Sequence, residues 1–254
     1  MKWIVMIVAV VLVILFLAKD FIASTLLTVG VSSFTELTAS VESLDLGVFK
    51  SAVDVKGFKL YNPRNYLKDR VMMDIPELYI NYDPGSFMTG TKHLKEVKLY
   101  LKEFVVVKNE LGELNLDSIK AIQAKMGQES GGKNQDSKFK IDVLELKIDK
   151  VVYKDYSRGG SPVVKEFNVG IDERYTNITN PYSFASLIVF KALINTSIAS
   201  LAHFDLGPLK DSATDALVTA VDAAAGAVGV SSGAAKKAVS KTTDVIKGLL
   251  PFGK

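Results

Sequence analysis

The chain has no cysteine and only two histidines, His93 and His203, in 254 residues. Without a thiol there is no disulfide, no thiolate zinc site and no cysteine nucleophile. Two histidines so far apart leave no metal cluster of standard spacing, and each reads as a surface or capping residue. Charge of one sign is also scarce. The net charge of +3 is too small, and the basic residues too scattered, for a nucleic-acid partner. No glycine-rich phosphate loop follows a strand, and acids stand singly among lysines, so no carboxylate pair offers acid–base work. One string has a catalytic form, Gly229-Val230-Ser231-Ser232-Gly233. A nucleophile elbow needs its acid and histidine later in the chain, and both histidines precede this one. The expectation is a protein that is not an enzyme, with no catalytic residue, no cofactor and no metal.

What is present is apolar. Hydrophobic residues make up 48% of the chain while charged residues, at 23%, are near average, so the apolar excess must be local. It is concentrated at the N-terminus, where Trp3 to Ala18 runs without a charge. As a helix this run would span about 24 Å against a hydrocarbon core of about 30 Å, with Lys19 reaching to the interface and Phe21 and Ile22 adding length. Ala18 and Ala23 each have a phenylalanine two places earlier, which disfavours signal cleavage and predicts a retained anchor. Lys2 before the run, against Lys19-Asp20 after it, places the N-terminus in the cytoplasm and the body across the membrane.

Beyond the connector the helical period gives way to a period of two. Phe58 and Leu60 share one face of a strand that stops at Asn62-Pro63. Leu78, Ile80 and Tyr82 share a face before the turn Asp83-Pro84-Gly85. Val97, Leu99 and Leu101 lie opposite Lys98, Tyr100 and Lys102. A helix start with Asp117 as its cap follows, then a polar linker over 127–138. Leu144, Leu146 and Ile148 resume the alternation, as do Phe167, Val169 and Ile171, so the body reads as a loose repeat. One face is apolar and the other carries Lys and Glu, as an antiparallel sheet with one covered side requires. That apolar face either packs under a helix or holds lipid. From Tyr182 to Phe204 the period is helical again and apolar over most of the circumference, and the tail is rich in Ala, Gly and Lys.

These elements predict an α+β fold. Its parts are a transmembrane helix (1–20), a helical connector (21–41), a curved and mostly antiparallel sheet open as a groove (42–180), an apolar helix packed on or beside it (181–204) and a helical tail (205–254). The order of the anchor, "VDVKGFKLYNP", "MMDIPELYINYDPGSFMTGTKHLKEVKLYLKEFVVVKNELGELNLDSI" and, after the linker, "FKIDVLELKIDKVVYKDY" resembles the N-terminal module of the AsmA-like proteins of bacterial envelopes. The Asn62-Pro63 corner, the turn from Asp83 to Gly90 and Gly112 with Asn115-Leu116 carry most of the likeness.

The resemblance implies an inner-membrane protein with a periplasmic sheet groove, linked in larger relatives to phospholipid movement toward the outer membrane. It makes membrane lipid the expected partner, with further copies or other envelope proteins as alternatives. The expected lipid contacts are the fourteen apolar side chains from Phe58 to Ile171 named in the strands above. This chain is short for such a role. About eight strands reach only about 40 Å, too little to bridge an envelope alone. A structural or scaffold protein whose sheet face is covered by its own helix is the rival expectation.

Overall fold

The computed structural model describes residues 24–25, 28, 37–47, 50–66, 68–119 and 139–214. Seven strands form a single sheet: β1 (Thr38–Ser40), β2 (Ser43–Gly47), β3 (Ala52–Tyr61), β4 (Val71–Tyr82), β5 (Lys92–Lys108), β6 (Phe139–Asp155) and β7 (Val163–Ile178). Their order is β1-β3-β4-β5-β6-β7, with β2 beside β1 against β3. All pairs are antiparallel except β5 and β6, which run parallel from Lys92↔Phe139 to Lys108↔Asp155. A strand of 17 residues is about 55 Å long, and the segment joining β5 to β6 is long enough to return over that length before β6 begins.

The helices are short: α1 (Pro84–Met88), α2 (Pro181–Ile194) and α3 (Ile198–Ala202), with residues 207–214 also helical. Between α2 and α3 the Thr196 hydroxyl donates to Leu193 O and accepts from the Ile198 N–H, closing one helix and opening the next. The apolar helix expected over 181–204 is therefore two helices. The second ends at His203, whose left-handed backbone (φ 53°) makes it a C-cap.

A change of phase crosses the sheet. In β5 the core-facing set is Val97, Leu99 and Leu101, then Phe104 and Val106. In β6 it is Leu144, Leu146 and Ile148, then Val151 and Tyr153. The alternation also jumps by three in β3, from Val55 to Phe58, and directly opposite in β4, from Ile75 to Leu78, with Leu78 paired to Leu99 and so just short of the jump in β5. At that height in β3, Gly57 takes φ +60°, and a Cβ there would stand 2.7 Å from Glu42 Cβ. Its place in the register is opposite Pro76, which has no N–H to give to a ladder. Register from β3 through β6 is kept across the jump, so these four strands rephase near one another, while β7 keeps Phe167, Val169 and Ile171 at a period of two and its register with β6 shifts between Ile148 and Lys150.

The expected fold class is corrected in three respects. Among the described residues no helix is long and apolar enough to cross a membrane, and the run Trp3–Ala18 lies outside them. Strands dominate, and the two longest form a parallel pair, because β6 begins beside the start of β5, at Lys92↔Phe139, and not beside its end as in a hairpin. The apolar face is no open groove. α2 packs on β6 and β7, and Leu146 and Ile148 of β6 and Leu187 and Leu193 of α2 have no exposure. The sheet also starts earlier than the connector expected over 21–41 allows, because Thr38–Ser40 pairs with β3. The linker over 127–138, most of the 205–254 tail and the Gly229–Gly233 string lie outside the described residues.

Candidate functional site

The fourteen residues expected to meet lipid fall into three groups. Val97, Leu99, Leu101, Leu144, Leu146, Ile148, Ile171 and Phe58 are buried in the main core cluster. Leu60, Leu78, Ile80, Phe167 and Val169 pack against that cluster and are half-buried. Tyr82 lies past an irregularity in pairing between Asn81 and Tyr82; it is half-buried and outside the cluster. The face is thus gathered as the strand pattern requires, but its two sides differ. On β6, where α2 packs, it is fully closed, whereas on β3 and β4 buried Val55, Phe58 and Ile75 are flanked by half-covered Val53, Leu78 and Ile80 on one side and Leu60 and Met73 on the other.

Phe104, Val106, Val151 and Tyr153 belong to the same face and were not identified from sequence, since they follow the phase change. The uninterrupted valines of "FVVVK" were the available signal: a strand buried on both sides reads as a continuous apolar run. Val105 and Val107 indeed point the other way, into a small cluster with Tyr66 and Tyr156.

One charged group sits at the margin of the apolar face. Lys191 of α2 reaches Glu173 of β7 at 2.7 Å and lies over the Tyr175 ring, while the Tyr175 hydroxyl donates to the same carboxylate. Burial pushes the Glu173 carboxyl up, but the hydrogen bonds from Lys191 and Tyr175 outweigh it and hold the group below its ordinary value of 4.5. Burial, with Glu173 beside it, raises the Tyr175 phenol well above its usual range. A lysine in the stripe Leu187, Ile188, Lys191 of an otherwise apolar helix was the sequence sign that this pairing existed.

The opposite face is a ladder of paired charges. Lys98 meets Glu96 at 3.3 Å and Glu145 at 3.2 Å, Lys147 meets Asp172 at 3.2 Å and Lys150 meets Glu103 at 2.7 Å. A shallow depression of about 530 Å³ lies on it, between Tyr79, Tyr100 and Arg174. Lys98 with Glu145 and Lys147 with Asp172 pair across it, as a solvated strand face needs.

At the end of the sheet where β3 and β5 finish, the two asparagine corners meet. Asn115 Nδ2 donates to Asn62 Oδ1 at 2.8 Å and to Val105 O, while its Oδ1 accepts from the Val107 N–H. Asn62 in turn donates to Asp69 O. The helical turn therefore starts at Leu116, one residue before the expected cap, and Asp117 instead accepts from the Leu114 N–H. Above these corners lies a cleft of about 350 Å³ floored by Tyr66, Val107 and Tyr156. Asp69 accepts from the Tyr156 hydroxyl and pairs with Lys154, both at 2.5 Å, and burial raises the Tyr156 phenol to about 12.

His93 is not a lone surface residue. Its Nε2 lies 2.7 Å from Asp142 and its Nδ1 3.7 Å from Asp83. Among the described residues no group of three His, Cys, Asp or Glu side chains is placed to hold a metal ion. No family model matches the chain, and neither does any curated protein or solved structure.

Proposed function

We propose that the protein is a membrane-associated binding protein of a bacterial envelope that shelters acyl hydrocarbon on the lightly covered half of its apolar sheet face. The observation that carries this reading is the half-buried Val53, Leu78 and Ile80 on β3 and β4, with Leu60 and Met73 beyond the buried Phe58 and Ile75, all packed against the main core. Burying hydrocarbon there needs no directed polar group and returns roughly 25 cal/mol per Å² of apolar surface covered. The resemblance of residues 1–175 to the AsmA-like module and the uncharged run Trp3–Ala18 support a body held beside the inner membrane on its periplasmic side. Binding of lipid, rather than turnover of it, fits a face made of aliphatic side chains.

Native mass spectrometry of the detergent-solubilised full chain tests it. Co-purifying phospholipid is expected, and it should be lost in a Leu78→Lys, Ile80→Lys double variant whose circular dichroism is unchanged. A wild-type spectrum free of lipid adducts would sink the proposal. A second reading, a non-catalytic scaffold whose sheet face is filled by its own helix, is favoured by the dry contact of α2 with β6 and β7. It expects that lipid-free spectrum together with co-purifying envelope protein.

A further inference from the structure

The described part of the molecule has three large apolar side chains that are well exposed: Leu111 at 81%, Val163 at 46% and Val164 at 48%. All three lie at one end of the sheet. Leu111 is in the turn after β5; Val163 and Val164 open β7, and β5 and β6 finish side by side at Lys108↔Asp155, with Asp155 paired to Val163.

Folding does not explain Leu111. The turn is shaped by Asn109, whose Oδ1 accepts from the Leu111 and Glu113 N–H groups, and by Gly112 at φ +82°. The Leu111 side chain adds no packing to it. Val163 and Val164 are successive strand residues and point to opposite faces, so one covering element of the chain itself would not bury both.

Two further features converge on this end. Arg64, beside the cleft, and Arg158, in the turn between β6 and β7, are exposed cations with no ion pair among the described residues. The chain also enters the sheet here: β1 pairs Thr38 with Tyr61 at the finish of β3, so the segment carrying the uncharged run Trp3–Ala18 joins the fold at this end through Leu37. Exposed aliphatics beside unpaired guanidinium groups, at the point of attachment to an uncharged run, match the two layers of a lipid surface.

We propose that this end of the sheet docks on an anionic bilayer, with Leu111, Val163 and Val164 entering the boundary between headgroups and acyl chains and Arg64 and Arg158 meeting lipid phosphates. The inference rests on the membrane association proposed above but not on acyl binding by the sheet face.

The absence of cysteine makes the test direct. The full chain carries one environment-sensitive fluorophore, at Leu111→Cys, Val164→Cys or, as a control at the other end of the sheet, Thr89→Cys. Each is reconstituted into vesicles of equal parts phosphatidylcholine and phosphatidylglycerol whose acyl chains bear bromine as quencher. Quenching is expected at positions 111 and 164, at a depth of about 5–10 Å, and not at 89. Arg64→Ala and Arg158→Ala should each lower the docked-to-undocked ratio about fivefold, and phosphatidylcholine alone should abolish docking. Equal quenching at all three sites, or none at 111 and 164 in membrane-bound protein, overturns the proposal. Quenching that ignores both arginines and the anionic lipid overturns the phosphate contacts. Lipid adducts in the mass spectrum are unaffected by any of these outcomes, so failure here is separable from failure of acyl binding.

Discussion

The two halves of the apolar face are built from the same kinds of side chain and end in different states. Leu144, Leu146 and Ile148 on β6, the strand on which α2 packs, have no exposure, whereas on β3 and β4 buried Val55, Phe58 and Ile75 are flanked by half-buried Leu60, Met73, Leu78 and Ile80. Composition does not separate them; the covering element does. α2 sits where it does because Asn180-Pro181 follows β7 directly, and a short connection leaves a helix beside the strand it came from. The contact is then fixed by Lys191 with Glu173. An apolar strand face is therefore a core or a binding surface depending on what the chain can reach to cover it.

The comparison is broken most sharply by truncation on each side. Leu146→Ala should cost about 2–5 kcal/mol of stability, since it leaves a cavity under α2, and Leu78→Ala well under half of that. Urea titration followed by circular dichroism measures both. Equal losses would mean that the β3–β4 row is ordinary core and would remove the surface on which acyl binding is proposed.

A smaller effect tests whether the lightly covered half is nonetheless firmly specified. Gly57→Ala places a side chain in left-handed backbone, at about 1–2 kcal/mol, and adds the close approach to Glu42. The same titration should show the loss; a neutral result would mean that β3 can relax and that the phase change is not held there.

The smallest effect belongs to the ion pair over β7. The Glu173 carboxyl is held below 4.5 in the folded state, so the pair contributes stability that is present above that value and is lost as pH falls through the lowered one. Its partial exposure keeps the contribution near or below about 1 kcal/mol. Melting temperature should drop more steeply on acidification in the wild type than in Glu173→Gln, and parallel curves would show that α2 is held by packing alone.

Much of the strand layout was legible. The alternations at Phe58–Leu60, Leu78–Ile80, Val97–Leu101, Leu144–Ile148 and Phe167–Ile171 sit on the single face they predict, because side-chain direction in a strand follows from local geometry. The second stretch of each long strand was not legible. Reading past Leu101 or Ile148 at a strict period of two turns the pattern inside out, and nothing local to Lys102 or Asp149 announces the change. Gly57 and Pro76 are its visible signs, but Pro76 gains that meaning only from its place opposite Gly57. Likewise Asn62 and Asn115 stand out as corner residues in sequence, while their mutual hydrogen bond depends on β3 and β5 finishing at the same end. The helix over 182–204 was misjudged as continuous, because hydropathy does not report the Thr196 hydroxyl bonding to both sides of the break.

Sequence alone determined the first alternations of the long strands, that those apolar side chains share a face, and that the chain carries an uncharged run from Trp3 to Ala18, since each depends on spacing along the backbone. Only the tertiary structure decided that β5 and β6 run parallel, that α2 closes one half of the face and leaves the other thinly covered, and that Leu111, Val163 and Val164 gather at the end where the chain enters. Those outcomes depend on which distant segments meet, and local periodicity carries no information about that.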